Sequence, residues 1–396
     1  MNRFCMYPLA CLLLLLTVLT GCQTHPKLHT VPVMTTQLWA DQAFSAPSIQ
    51  LETEQEIFAI PADTVSELRR QLQQHDDHYQ RSMALVAYIF NDGRDELEYV
   101  NSATLVASDT LKRRQANCLS LTILAYSLAQ SLGFEVEFQD VTIPEYWVSR
   151  SGSMLLNGHV NLVLLPTNKM FDMKDAIYAR SGYLIDFDRV PARSRLKSTV
   201  IQRPTIVSMF YNNRAADALI AHNYDVAYLY LKQAIQLAPQ QVANWNNLAV
   251  LYRHKRLFAQ AEQVYRHSLQ LEPDHSNTLA NLAALYQLTD RPAEAALLEQ
   301  RVEKKRLANP FYFVMLGNEA FERHEQDTAI AYFRKALKLQ SNVPEALFGL
   351  AKSYLMKGDF ASATRYLQAA KKHVGAGSER RLYQSKLDLL NAIARR

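Results

Sequence analysis

The sequence predicts an α+β domain followed by an all-α solenoid of repeated helix pairs, and three observations predict it. A helical stretch opening at Cys118 is followed by segments in which apolar and polar residues alternate. From about residue 208 the chain repeats itself every 34 residues. Ahead of both lie a short apolar N-terminal segment and a stretch with no period. With 396 residues, 48% of them hydrophobic, the chain is long enough for two or three globular units and too apolar to be disordered. The formal net charge is +5 and like charges never run to five in a row, so composition gives no footing for nucleic-acid binding.

At the N-terminus, Arg3 precedes an apolar run from Leu9 to Leu19, about half the length a bilayer-spanning helix needs. That is the form of a secretion signal. The run ends in Leu19-Thr20-Gly21-Cys22, which resembles the lipobox of bacterial lipoproteins. The resemblance implies a signal peptide over residues 1–21, lipidation of Cys22 and attachment to a membrane through that lipid. Gln23 stands where an aspartate would imply retention in the inner membrane, so in a Gram-negative host the resemblance points to the periplasmic face of the outer membrane. With Cys5 and Cys11 in the signal and Cys22 carrying lipid, Cys118 is the one remaining thiol and no intrachain disulfide is expected. Residues 22–55, rich in Thr, Pro and Gln at their start, read as a tether.

The α+β domain is expected over residues 56–205. Ala62–Gln74, with Asp63 or Thr64 as N-cap, and Tyr79–Phe90 carry apolar residues at helical spacing. In Asn117–Leu132 the apolar positions Leu119, Ile123, Tyr126, Ala129 and Leu132 fall three or four apart, Asn117 is the natural N-cap and Gly133 the natural stop. Cys118 therefore falls in the first turn of a helix. Strands are expected at Phe134–Phe138, His159–Leu165 and Tyr183–Asp188. Tyr146 and Trp147, between the first two strands, serve either as apolar cleft walls or as loop anchors.

The repeats run from 208 to 377 in five units, and the register is visible residue by residue. Position 8 reads Ala215, Ala249, Ala283, Gly317 and Ala351; position 20 reads Ala227, Ala261, Ala295, Ala329 and Ala363. Position 4 supplies Tyr211, Trp245, Leu279, Phe313 and Leu347, and Pro239 and Pro273 close the first two units. This pattern resembles the tetratricopeptide (TPR) family, and the resemblance implies a stack with residues 378–396 as a solvating cap helix. In that fold Asn212 and Asn246 at position 5 and Asn318 at position 9 face the concave groove, where an asparagine can bind the backbone of a protein or peptide partner. Of the lysines that would grip a terminal carboxylate only Lys352 is in place. His222, His254 and His267 fall within the helical repeats as surface or packing residues.

Chemistry centres on Cys118. A thiol attacks as thiolate, and the free N–H groups of a helix N-terminus favour that anion. It needs a base and a group that orients the base. His159 at the start of one strand and Asp186 or Asp188 on the next offer both. Cysteine, histidine and aspartate in this order, with Asn117-Cys118-Leu119-Ser120, Gln139-Asp140-Val141, His159-Val160-Asn161 and Asp186-Phe187, resemble the bacterial lipoproteins that join a transglutaminase-like domain to TPRs. The one departure is Ala116, where that family has glycine. The resemblance implies an α+β transglutaminase-like domain followed by an all-α TPR solenoid, with Cys118 as nucleophile, His159 as base and Asp186 as orienter, and no metal or organic cofactor. The intact Cys, His and Asp set, which a pure scaffold has no chemical reason to keep together, favours an envelope-anchored cysteine enzyme that cleaves or transfers amide acyl groups through a thioester, with the TPR array recruiting its substrate. The alternative is a non-catalytic assembly lipoprotein of the cell envelope.

Overall fold

The computed structural model describes residues 38–90, 97–141, 147–150, 153–156, 159–165, 183–185, 198–373, 380, 383–388 and 390. Two units separate along the chain, Met1–Trp39 and Ala40–Arg396; all the elements below belong to the second. The signal segment and Cys22 lie outside the described residues. Among the described residues no helix is long and apolar enough to cross a membrane.

The α+β part opens with α1 (Glu54–Phe58), α2 (Ala62–Leu72) and α3 (His78–Phe90). Thr53 and Glu56 form a reciprocal capping box on α1, the Thr53 hydroxyl accepting the Glu56 N–H at 3.2 Å and the Glu56 carboxylate accepting the Thr53 N–H at 2.7 Å. Neither Asp63 nor Thr64 caps α2: Pro61 holds the N-cap, and the Asp63 carboxylate accepts the adjacent Thr64 N–H at 2.8 Å instead. Then come β1 (Glu98–Tyr99), α4 (Ala107–Arg113), β2 (Gln115–Ala116), α5 (Cys118–Ser131) and β3 (Glu135–Val141). They are followed by β4 (Trp147–Arg150), β5 (Ser153–Leu156), β6 (His159–Leu165), β7 (Tyr183–Ile185) and β8 (Ser198–Ile201).

Helix α5 is the centre of this part: every residue from Leu119 to Ala129 is buried. A helix apolar on all sides needs cover on all sides. The sheet β7-β6-β3-β8, antiparallel throughout, supplies one wall. Tyr126 of α5 stacks on Phe138 of β3 with centroids 4.4 Å apart. The sequence reading anticipates β3, β6 and β7 but not β8, which covers the far edge of β3, nor the β4–β5 hairpin.

The repeats are α6 (Arg203–Ile220) with α7 (Tyr224–Leu237), α8 (Val242–His254) with α9 (Phe258–Leu271), α10 (Ser276–Leu288) with α11 (Pro292–Leu307), α12 (Pro310–Glu322) with α13 (Gln326–Leu339), and α14 (Pro344–Met356) with α15 (Phe360–His373). The period is written in the backbone. The second helix of each unit starts at position 17, and position 15 has positive φ in all five units: His222 57°, Arg256 59°, Asp290 56°, His324 62° and Gly358 77°. A left-handed residue there ends the first helix and turns the chain back. All five position-20 alanines are fully buried, as helices in close contact require. At the C-terminus, helical residues 383–388 and 390 place Tyr383, Leu387 and Leu390 against Leu347 and Leu367 of the last unit.

Two features depart from a plain tether and a uniform stack. Residues 40–53 lie against the first repeat rather than hanging free, as detailed below. Pro239 and Pro273 stand at position 32 of the first two units, but the third has Leu307 there, and α11 runs 16 residues where α7, α9 and α13 run 14. Beyond it α12 makes only marginal contact with the third unit.

Candidate functional site: Cys118 and the repeat surface

Cys118 is the first residue of α5 and a half-buried free thiol. Its neighbours in the Asn117-Cys118-Leu119-Ser120 motif build the site's frame. The Asn117 carboxamide oxygen accepts the Ser120 N–H at 2.9 Å, the expected N-cap, and its amide donates to Thr104 Oγ1 at 2.9 Å. The Ser120 hydroxyl donates to the Ala103 carbonyl at 2.9 Å and accepts the Leu105 N–H at 2.8 Å. Asn117 and Ser120 thus pin residues 103–105 to the first turn of α5. Ala116 sits in β2, paired with Tyr99, in extended backbone that any residue adopts, so the missing glycine costs this turn nothing.

His159 opens β6, as the sequence reading expects, and pairs with Val141 of β3. The Thr122 hydroxyl, one turn into α5, lies 2.9 Å from the Cys118 carbonyl and 3.2 Å from the buried Val160 carbonyl. It couples the start of α5 to the start of β6. The structure thereby brings the backbones of Cys118 and His159 to neighbouring element ends. Asp186 and Asp188 lie outside the described residues, as does Tyr146. Among the described residues no group of three or more His, Cys, Asp or Glu could hold a metal ion.

On the repeats, the groove asparagines already serve the stack. Asn212 Oδ1 accepts from Asn247 at 2.9 Å and Asn246 Oδ1 from Asn281 at 3.1 Å, a ladder joining units one to three. Asn246 is only 6% exposed, so its carboxamide is a structural group. Asn318 is half-buried on α12. The Lys352 ammonium stands over the rings of Phe321 (4.7 Å) and Phe348 (5.4 Å), and burial lowers its pKa. His267 packs edge-on against Trp245 and His254 stacks on Tyr224, both packing roles.

A cluster invisible to sequence reasoning lies at the first repeat. Residues 40–52 cross it, held at two places. At the first, Asp41 accepts from Tyr228 (2.9 Å) and Lys232 (2.6 Å), bonds that lower its pKa, and Phe44 stacks on Tyr228 with centroids 4.1 Å apart. At the second, Glu52 accepts from Tyr230 (2.7 Å) and pairs with Arg214 (3.0 Å), while its carbonyl accepts from Tyr211. Burial and Glu52 push the Tyr230 hydroxyl up to about 12. The only available sequence signal was an aromatic, Phe44, three residues after an acid in an otherwise unpatterned stretch.

Two segments match tetratricopeptide repeat models, residues 242–275 and residues 314–378. No curated protein sequence matches the chain. Among solved structures, PilF of Pseudomonas aeruginosa is 19% identical over 48% of this chain and 87% of its own, with a TM-score of 0.26. PilW, a type IV pilus biogenesis factor, is 20% identical over 48% and 88%, with a TM-score of 0.26. YrrB, described as a TPR protein with an unusual peptide-binding site, is 16% identical over 42% and 86%, with a TM-score of 0.23. The C-terminal part of the chain is a TPR-like helical solenoid.

Proposed function

We propose that the chain is an envelope-anchored scaffold in which the TPR array recruits a protein or peptide partner. The observation that carries this reading is the array itself: five helix pairs in one register, occupying nearly half the chain and presenting an extended surface. Leu19-Thr20-Gly21-Cys22 after a short apolar core supports a lipid anchor. The scaffold is tested by co-purifying tagged chain from cross-linked cells as wild type and as Cys118→Ala. The same partner set in both supports the scaffold; a set that vanishes with the thiol overturns it. The anchor is tested by radiolabelled palmitate, whose incorporation should stop in Cys22→Ser and whose persistence there would refute the lipobox.

One observation favours a second reading, an amide-directed cysteine enzyme: Cys118 heads α5, His159 heads β6, and Thr122 ties the two ends together. On this reading the Cys118 thiolate adds to an amide carbonyl, His159 protonates the departing amine, and water or a second amine releases the acyl group from the thioester. Asp186 would orient the imidazole, with Asp188 as its rival. A thiol-reactive acyl probe should then label Cys118 near pH 6 faster than a model thiol, and His159→Ala should slow it. Labelling at the rate of an ordinary thiol, unchanged in His159→Ala, would leave only the scaffold.

A further inference from the structure

The segment lying on the first repeat reports what that surface recognises. Asp41–Ala43 form one 3-10 turn, and in such a turn residues three apart share a face, so Asp41 and Phe44 point the same way. They enter a nest built by two neighbouring units. Tyr228 and Lys232 of α7 meet the carboxylate, and Tyr228 and Tyr252 flank the Phe44 ring, Tyr252 with its centroid 6.0 Å away. The Lys255 ammonium stands 5.3 Å from that ring. The backbone is held on both sides, the Ala40 N–H donating to the Tyr252 hydroxyl at 3.0 Å and the Ser45 N–H to Asp225 at 3.2 Å. Carboxylate, ring and flanking amides are each met by a matching group, which is the make-up of a peptide site.

The next junction explains why this nest needs a visitor. Position 21 is Glu262 in the second unit, and its carboxylate accepts from Tyr286 (3.0 Å), Arg266 (2.9 Å) and Arg291 (2.6 Å). There the array supplies its own anion. In the first unit position 21 is Tyr228, and the anion comes from Asp41. The visitor is also loosely held: the Asp41 side chain remains 59% exposed, and exposed ion pairs contribute little.

We propose that the nest between the first two repeats is a binding site for peptides with a carboxylate three residues before an aromatic ring. Residues 41–44 are its resident ligand, and a partner segment of the same pattern displaces them. This deepens the scaffold reading by naming the partner's chemistry. The two fail separately, since cross-linked partners bear on the whole array and the following competition bears on this nest alone.

The probe is a fluorescent peptide of residues 40–48, acetylated, titrated by anisotropy against the full mature chain. The Phe44→Ala chain, its nest vacated, should bind the peptide at least tenfold more tightly than wild type. Lys232→Glu in the Phe44→Ala background should abolish binding, and so should a peptide carrying Phe44→Ala. Unchanged far-UV melting of each variant confirms that the array is intact; if Lys232→Glu melts early, Lys232→Ala should weaken binding severalfold, the effect of losing one exposed pair. Equal binding by wild type and Phe44→Ala overturns the proposal. So does binding by neither chain, or binding that the Lys232 change leaves unweakened.

Discussion

The junction between the fourth and fifth repeats and the junction between the third and fourth obey the same 34-residue period and end differently. In the former, Phe333 at position 24 is fully buried and faces glycines on both sides: a Cβ on Gly317 would come within 2.6 Å of its ring, and one on Gly349 would overlap it. Ala329, Ile330, Val343 and Leu350 close around it. In the latter, position 24 is Glu299 and position 28 is Glu303, both exposed. A cleft of about 720 Å³ opens there, lined by third-unit residues including Ala280, Ala284 and Ala296. Burying two carboxylates without partners would cost more than stacking returns. The small residues of the motif make room for a neighbour, and the apolar residues at positions 24 and 28 decide whether the neighbour closes.

The largest test of that difference is Phe333→Ala against Glu299→Ala. The first removes a ring from a closed core and should cost about 3–5 kcal/mol, with the loss confined to α12–α15. The second should change stability by less than about 0.5 kcal/mol. Chemical denaturation of both variants checks it, and comparable losses would erase the distinction between the junctions. Next in size is bulk at the alanines. Ala261→Trp and Ala329→Trp force a ring into filled space and should cost about 1–3 kcal/mol or more, whereas Ala296→Trp, at an exposed site on the open face, should be near neutral in the same melts.

How much of this was legible in the sequence depends on the distance between partners. The period, the buried alanines and the helix headed by Cys118 involve residues within a turn or a unit of one another, and all three are where the spacing puts them. The open junction is also written there, since position 24 reads Leu231, Tyr265, Glu299, Phe333 and Leu367, although the small-residue positions that define the register carry no sign of it. Strand β8 is four residues whose only signal is a partner more than fifty residues earlier, β3. Helix α4, seven residues and largely polar, lacked an amphipathic stripe long enough to register. Residues 40–52 bind through partners 159 to 212 residues away, which no local pattern reveals. Of the candidate cysteine site, the cap on Asn117 and the placement of His159 at a strand start were legible. The anchoring roles of Asn117 toward Thr104 and of Ser120 toward Ala103 depend on a loop the sequence left unassigned.

A smaller effect separates the turns from the junctions. At position 15, His324→Gly and Arg256→Gly should each stabilise the array by about 1 kcal/mol, because left-handed backbone strains any residue with a Cβ. Gly358→Ala should destabilise by a similar amount, although nothing lies within 4 Å of the added Cβ, so strain alone sets the sign. Thermal melts that move the other way would remove the turn's role. The smallest is a pH effect. His254 and His267 have pKa values held below the ordinary 6.5, chiefly by burial. The unfolded chain therefore takes up protons first as pH falls through 6.5, and stability should drop below that pH while staying flat above it. His254→Gln with His267→Gln should flatten the acid limb of the melting temperature.

Native-state hydrogen exchange of the full chain tests the difference between the two junctions most directly. If positions 24 and 28 decide closure, amides of α12–α15 share one opening free energy, amides of α6–α11 share another, and the change falls between α11 and α12. A single opening free energy running unbroken from α6 to α15 would contradict it.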